Sequence, residues 1–435
     1  MTTVTENQIT FDDQGLEMFL AGRDEPQWLT QMRRDAWQAF NEMSWPSQRD
    51  EEWMRTDIRM FHLDRYRLPS APLASSPSSV LDQGVDLAGR VASLDGHSQG
   101  AELDPELASQ GVLFGEIGRM LSEHGARLQP FFQQAFQADT DRFSALHAAF
   151  WSSGTLLFVP RGVTIERPLH AFSGMSDGGV DLGHTLVILE DGASATLLAE
   201  LASPTVDAGG FHCGAIELIL GDGAHLRYVN LQDWGQGCWH FAHQKAIVGR
   251  DSGLQWTAGA LGSRLSKVNQ HVALAGEGAN CQVNGVMFTE DHQHLSYHTL
   301  QHHQAAHCTS DFLYKAALQE TSRTVWRGMI KVDPDAQQTD GYQRNDNLLL
   351  SRDARADSIP GLEIEADDVR CTHGSTSGRV DEELIFYARS RGFTRKEAIQ
   401  IVVTGFFQQV LDRITIDSVR EALGLAIARR VREYE

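Results

Sequence analysis

Leu220-Gly-Asp-Gly-Ala224 is the end of an apolar segment followed by a tight turn, and the same pattern recurs through the middle of the chain. Each copy places Asp or Glu beside Gly or Ala, and such residues favour turns. Successive turn glycines from Gly192 to Gly278 are 31, 30 and 25 residues apart. A strand–turn unit of that size cannot bury its apolar face alone, so successive units must stack. The clear copies are 189–193, 220–224, 248–253 and 274–279, and the degenerate copies are 318–321, 332–336 and 350–354.

Strands that recur without intervening helices predict a mainly β fold with a β-solenoid core rather than a doubly wound sheet. We place this core at residues 143–378. A β-sandwich is the alternative, because paired short strands give a similar rhythm. Helical periodicity flanks the core on both sides. The predicted flanking units are an N-terminal helical domain (1–68), a Pro/Ser-rich flexible linker (69–80), a mixed segment with short strands and one helix near 116–126 (81–142), and a C-terminal helical domain (379–435).

The N-terminal domain is predicted from apolar residues at helical spacing. Trp28, Met32, Ala36, Trp37 and Phe40 recur every three or four positions. The pattern predicts that residues 12–61 are largely helical, with a break at Trp45-Pro46.

The C-terminal domain is predicted to contain three helices. Asp381 can cap the first, Thr394 and Glu397 form a capping box for the second, and an amphipathic third helix follows. The second helix carries two adjacent apolar stripes, more than one ordinary contact covers. We therefore expect one stripe to pack on the core and the other to bind a partner protein. The candidate partner-binding residues are Ile399, Val402, Val403, Phe406, Phe407 and Val410.

The stretch Pro360–Gly378 holds the candidate metal ligands. Three apolar residues (Leu362, Ile364 and Ala366) alternate there with acidic ones, which predicts a strand with one buried and one exposed face. If this strand continues without a bulge, Cys371 and His373 lie on the acidic side. A thiol and an imidazole at that spacing could share one metal ion. The alternative is a capped final strand with a satisfied histidine.

A second histidine-rich stretch spans Asp291–His307. Strand parity would place His292, His294, His298 and His302 on one face, as a possible mononuclear metal site. The alternative is that these histidines are ordinary surface residues that bind no metal. For the neighbouring Cys308 the two hypotheses are a small buried hydrophobe and a place on a route for sulfur.

Composition restricts the possible functions. A formal charge of −21 argues against nucleic acid or an anionic membrane as a partner. The sequence lacks the length of apolar run that a membrane span needs, and its first residues lack a signal-peptide pattern, so we expect a cytoplasmic protein. Five scattered cysteines without a Cys-x-x-Cys motif predict that the chain alone holds no stable iron–sulfur cluster. The absence of a phosphate-binding loop motif excludes a P-loop ATPase.

Several segments closely resemble the SufB/SufD family, the scaffold subunits of the Suf machinery for iron–sulfur cluster assembly. The form Cys371-Thr-His-Gly374 is similar to SufD rather than SufB. Gly341 departs from the alanine that family members often have. The side chains of 337–350 are expected to form polar ladders between coils. The resembling segments are 362–374, 378–381, 386–387, 390–392, 51–57, 326–332 and 337–350.

The resemblance implies a right-handed parallel β-helix and a non-catalytic scaffold. It implies pairing with SufB through the β-helix core, and binding of the SufC ABC-type ATPase through the C-terminal helices. A nascent iron–sulfur cluster would form transiently between SufB and SufD, with His373 as a candidate iron ligand and Cys371 as a weaker one. The sulfur-accepting cysteine would lie on SufB. The competing hypotheses are a β-helix enzyme acting on carbohydrates and a histidine-rich β-helix metalloenzyme.

Overall fold

The computed structural model describes residues 8–72 and 77–431. Parts of the predicted N-terminal domain, linker and C-terminal domain (1–7, 73–76 and 432–435) lie outside the described residues. The described chain is mainly β, a solenoid of about eight turns with helices at both ends, which confirms the predicted fold class. The helices are α1 (Asp13–Ala21), α2 (Gln27–Glu42), α3 (Pro105–Ser109), α4 (Ile117–Leu128), α5 (Arg142–Phe150), α6 (Glu382–Ser390), α7 (Arg395–Leu411) and α8 (Asp417–Arg430). The strands are β1 (Gly89–Leu94), β2 (His97–Leu103), β3 (Leu113–Glu116), β4 (Ser153–Val159), β5 (Leu169–Gly174), β6 (Gly179–Asp181), β7 (Gly183–Leu189), β8 (Ser194–Ala202), β9 (Gly209–Leu220), β10 (His225–Asp233), β11 (Gly237–Val248), β12 (Gly253–Ala260), β13 (Leu265–Leu274), β14 (Asn280–Thr289), β15 (His294–His303), β16 (Thr309–Leu318), β17 (Arg323–Val332), β18 (Thr339–Leu349), β19 (Arg355–Ile364) and β20 (Val369–Arg379).

From β7 onward, successive strands alternate between two sheets, and each strand pairs in parallel with the strand two positions along the chain. Sheet one has the order β2-β1-β5-β8-β10-β12-β14-β16-β18-β20. Sheet two has the order β19-β17-β15-β13-β11-β9-β7-β4-β3, with β6 beside β9. This connectivity is that of stacked coils, and the β-sandwich alternative is wrong.

The repeated turns form a ladder along one corner of the solenoid. Gly192 and Gly223 adopt φ angles of +67° and +66°, a region that glycine enters without a Cβ penalty. The Gly192 N–H donates to the carbonyl oxygen of Asp222 in the next turn at 2.8 Å. Later turns place Asp251 and Glu320 in the same region, at φ 52° and 59°. The glycine repeat is therefore harder to recognise in the sequence of these later turns, because Asp251 and Glu320 occupy the position that glycine occupies in the earlier turns.

The N-terminal helices pack against the outer face of sheet two. The predicted helical region is shorter than expected, since α2 ends at Glu42 and residues 51–57 form turns. Trp53 lies on these turns, and its side chain is only 5% exposed. Its ring stacks on Phe143, which in turn stacks on Phe241 at 3.7 Å between centroids. Aromatic packing, rather than a continued helix, therefore fixes this segment.

The C-terminal helices pack against the outer face of sheet one. The predicted capping by Asp381 and the Thr394–Glu397 capping box are both present. Polar contacts also join the layers: the Lys315 ammonium donates to the Phe406 carbonyl oxygen at 2.9 Å. The apolar side chains that α8 buries against this layer include Val419, Leu423 and Ile427.

The two ends of the solenoid differ. Antiparallel strands β2 and β3 cover the first coils. At the other end, β19 and β20 are the last strands of their sheets within the described residues. The described end of the predicted linker is anchored, because the Val80 N–H donates to the Glu200 carboxylate at 2.9 Å. Within residues 8–72 and 77–431, helices of the length and apolarity that a bilayer crossing requires are absent.

Candidate functional site

The stretch Pro360–Gly378 does not form the single strand that its alternation suggested. A turn at residues 365–368 separates β19 from β20, and the two strands belong to opposite sheets. On β19, Leu362 is in register with the fully buried Ile330, whereas Glu363 faces outward and pairs with Lys331 at 2.7 Å. The predicted alternation is therefore present, but it ends at the turn.

Cys371 and His373 lie on the inward-facing side of the last coil. They are in register with Gly341 and Gln343 of β18, both buried inside the solenoid. The prediction that they share a side with the acidic residues is wrong, because the intervening turn breaks the parity. The structure nevertheless places the thiol and the imidazole two residues apart on one strand face. Cys371 is half-buried, whereas His373 is exposed.

The Cys371 thiol occupies space left by the glycine of the preceding coil. A Cβ at position 341 would lie 3.3 Å from the Cys371 Sγ and 3.2 Å from a methyl group of Ile330. Burial raises the pKa of the Cys371 thiol, so this thiol is protonated at neutral pH in the chain as it stands. A metal ion would have to displace that proton.

A polar ladder supports the strand that carries this pair. The Asn347 amide donates to the Ser377 hydroxyl at 3.1 Å and to the Ser358 hydroxyl at 3.0 Å. Gln343 donates to the Gly361 carbonyl oxygen at 3.0 Å. These bonds join three consecutive strands and confirm the predicted polar ladders between coils. They hold β20 in a defined register at the end of the solenoid.

The last coil leaves part of the solenoid interior uncovered. Leu362 and Ile364 point the same way as buried residues of β17, yet they are 38% and 40% exposed. Strands β19 and β20 also carry outer edges that the described chain does not pair. Exposed apolar side chains beside unpaired strand edges are the features of a protein interface.

This pair alone is an incomplete metal site. Imidazole and thiolate are suitable ligands for iron. Across the part of the chain that the structure describes, groups of three or more His, Cys, Asp or Glu residues arranged to hold a metal ion are absent. The described residues therefore supply only this pair of candidate ligands at the open end.

His294, His298 and His302 share the outer face of β15, as the strand parity predicted, but the described residues form no group arranged to hold a metal ion there. His292 lies in a turn before β15 and hydrogen-bonds to Thr321 at 2.6 Å, so it does not share the strand face. His302 pairs with Asp333 at 2.8 Å. His303 faces the interior and bonds to Ser310 at 2.8 Å. Cys308 is fully buried in the solenoid core, which favours the small-hydrophobe hypothesis.

The predicted partner-binding residues of α7 are largely occupied within the chain. The two half-buried members also pack on the core between α7, α8 and sheet one. Both apolar stripes of α7 are therefore at least half-buried within the described chain, and their role in partner binding stays a prediction. The four buried members are Ile399, Val403, Phe407 and Val410, and the two half-buried ones are Val402 and Phe406.

Sequence reasoning missed an exposed apolar surface on the same domain, which we call the α6–α7 patch. Its most exposed member is Phe386, at 74%. The sequence contains a signal for this surface. Phe386 and Tyr387 lie within α6, but the residues four positions before and after each of them are polar, so the two aromatic rings do not belong to an apolar stripe. The members of the patch are Leu384, Phe386, Tyr387, Phe393 and Ile401.

Comparison with known families finds matches for both the N-terminal part and the solenoid part of the chain. Residues 172–406 match the model of the SufBD core domain of the SUF system for FeS cluster assembly, and residues 20–171 match the SufBD protein N-terminal region. A Mycobacterium leprae iron–sulfur cluster assembly SufBD family protein is 34% identical over 66% of this chain and 74% of its own length. A Staphylococcus epidermidis protein of the same description is 25% identical over 89% of this chain and 86% of its own length. The chain therefore belongs to the SufBD family of iron–sulfur cluster assembly proteins.

Proposed function

We propose that this chain is a SufD-type scaffold subunit of a cytoplasmic Suf complex. The observation that supports this proposal most directly is the open end of the solenoid, where Cys371 and His373 lie beside exposed apolar residues and unpaired strand edges. The chain would not catalyse a reaction itself. It would position a nascent iron–sulfur cluster, its cargo, between itself and a SufB-like subunit.

Pairing with the SufB-like subunit would occur through β19 and β20. An unpaired strand edge offers a row of backbone donors and acceptors that a second strand can satisfy. The same contact would cover Leu362 and Ile364, which are partly exposed. Apolar burial and strand pairing would then act together at one interface.

The cluster would be shared across that interface. A neutral imidazole binds ferrous iron, so His373 is the principal ligand in this proposal and Cys371 a weaker neighbour. The burial that raises the Cys371 pKa supports this ranking. The remaining ligands and the sulfur-accepting cysteine would come from the SufB-like subunit, and the cluster would leave after assembly.

Energy would come from a SufC-like ABC ATPase bound to the C-terminal helices. The sequence lacks a phosphate-binding loop motif of its own. The α6–α7 patch supplies exposed aromatic side chains, which are the preferred anchors of protein interfaces. We place the ATPase contact on this patch rather than on the buried faces of α7.

His373→Ala tests the proposed site. We expect the variant to lose maturation of an iron–sulfur enzyme in a strain that depends on this chain, because alanine cannot ligate iron. It should still co-purify with the SufB- and SufC-like subunits, because an exposed side chain contributes little to packing. The measurements are the activity of the iron–sulfur enzyme and the co-purification of the SufB- and SufC-like subunits with the variant chain.

The matched control is His225→Ala, which removes another exposed histidine from β10, in the middle of the solenoid. This control should mature the reporter enzyme normally, and Cys371→Ala should lose less activity than His373→Ala. Normal maturation in the His373→Ala strain would contradict the site assignment.

A further inference from the structure

A groove lies on the outer face of sheet two, across β11, β13, β15 and β17, and Glu363 of β19 also lines it. Its volume is about 360 Å³, within the size range of small-molecule sites. The sheet forms its floor, while Phe136, Thr140 and Glu52 contribute from the N-terminal side.

Cationic side chains are concentrated in this groove. Two of the chain's five lysines (Lys245 and Lys331) line it together with Arg327, although the whole chain carries a charge of −21. At the rim, Arg327 pairs with Glu51 and Lys331 pairs with Glu363, both at 2.7 Å. Lys245 is among the lining residues, and Lys267 adjoins the groove on β13, two residues before the lining residue Asn269.

Lys267 is the most unusual of these residues. Its side chain is 2% exposed, and its ammonium nitrogen has no hydrogen-bond partner in the described chain. The nitrogen lies 5.4 Å from the centre of the Trp53 ring. Burial lowers the pKa of Lys267 to about 7, against weaker opposing effects of Glu52 and Asp141. A buried, unpartnered cation of this kind is costly unless an anion reaches it.

Two imidazoles that line the groove also have free polar atoms: His298 is a neighbour of Lys267, and His271 is in register with Lys245. Within residues 8–72 and 77–431, His298 Nδ1 and His271 Nε2 lack hydrogen-bond partners. Burial lowers the pKa of His298 to about 2 and that of His271 to about 3, so both rings are neutral at pH 7. A neutral imidazole can donate one N–H, and its tautomer adjusts to an acceptor. His243, the third imidazole here, is held by Asp141 at 3.2 Å.

Strand register brings these groups together. Asn269 of β13 is in register with His298 of β15, and Lys267 precedes Asn269 by two residues on the same face. Neighbouring strands are about 4.8 Å apart, and residues two apart on one strand are about 7 Å apart. Lys267 and His298 are therefore diagonal neighbours. The next row, one step along the strands, contains Leu300 and Met329 in register, which gives the groove an apolar part.

We propose that this groove binds a small organic anion, with its carboxylate or phosphate group at Lys267 and His298 and its apolar body against Leu300 and Met329. This site differs from the proposed cluster site, because it lies on the outer face of sheet two and does not include Cys371 or His373, although β19 contributes Glu363 to its rim.

The test is calorimetric titration of the full chain at pH 7 with phenyl phosphate and, separately, with benzoate. We expect saturable one-to-one binding of at least one probe. Lys267→Met keeps most of the length of the side chain and removes its charge, and should weaken binding about tenfold or more, since hydrogen bonds to charged groups are the stronger ones. His298→Leu should weaken binding as well. The matched control Lys396→Met removes an exposed lysine on α7 and should leave binding unchanged.

The two probes distinguish a phosphate ester from a carboxylate as the natural class of ligand. The Lys267→Met chain should remain folded, because methionine fits an apolar site better than an unpaired ammonium. Absence of saturable binding of both probes to the wild-type chain would overturn the proposal. Equal affinity in a folded Lys267→Met chain, checked by circular dichroism, would overturn it too.

Discussion

At the scale of single residues, Lys267 makes the stability of the folded chain depend on pH. Its folded pKa is about 7, against an ordinary value of 10.5. Between these values the unfolded chain binds more protons, so wild-type stability rises as pH rises from 7 to about 10.5. Lys267→Met lacks this dependence. We expect this variant to be more stable than wild type at pH 7 by on the order of 1 to 3 kcal/mol, and the difference to shrink towards pH 10.

Urea unfolding of both chains at pH 7, 8.5 and 10, without added anions, measures this effect. The Lys396→Met chain is the control, because an exposed ammonium carries no burial penalty, and its stability should follow wild type at every pH. A Lys267→Met chain that is less stable than wild type at pH 7 would contradict the unpartnered ammonium.

At the scale of elements, α7 packs against sheet one, and the α6–α7 patch is the proposed contact for the ATPase subunit. The Phe407 side chain is fully buried in the layer between α7 and sheet one. Phe407→Asp buries a carboxylate without a partner and should cost roughly 3 to 5 kcal/mol, enough to unfold the C-terminal helices. Phe386 is 74% exposed, so Phe386→Asp should change stability by less than about 0.5 kcal/mol. We expect Phe386→Asp to abolish binding of the SufC-like ATPase, because it replaces the most exposed apolar side chain of the patch with a carboxylate.

Circular dichroism and a pull-down with the SufC-like subunit separate the two effects. The same substitution at two positions of one domain makes each variant the other's control. The patch assignment fails when a folded Phe386→Asp chain retains wild-type affinity for the ATPase subunit.

At the scale of the whole molecule, the solenoid is covered at one end and open at the other. In a parallel sheet, the last strand has a neighbour on one side only, so part of its amides lack a strand partner. We expect hydrogen exchange in β19 and β20 to be faster than in β12, whose two neighbours are both present. Complex formation with the SufB-like subunit should then slow exchange in β19 and β20 specifically.

Exchange measured by mass spectrometry on the chain alone and in the complex checks this prediction. Strands β2 and β3 at the covered end provide the internal control, and their exchange should not change. Unaltered exchange in β19 and β20 on complex formation would place the SufB contact elsewhere.

The sequence alone determined the features that depend on local spacing. Turns recurring at about 30 residues specify stacked coils, because the turn residues and the strands beside them lie close together in the chain. The Thr394–Glu397 capping box and the buried face of α8 follow from spacings of three and four residues in the same way. The candidate pair Cys371 and His373 was also proposed from the sequence, and the family was recognised there.

Only the tertiary structure decided which side each residue faces and what covers it. Cys371 faces the interior rather than the predicted acidic side, because a turn at 365–368 breaks the two-residue periodicity. Alternation along β19 does not predict which way the residues of β20 face, since β20 belongs to the other sheet. Phe407 is buried because α8 and sheet one, far away in the sequence, both pack against α7. The groove at Lys267 joins residues from four coils that are about 30 residues apart. Contacts of this kind depend on the stacking of the coils, which local sequence patterns do not encode.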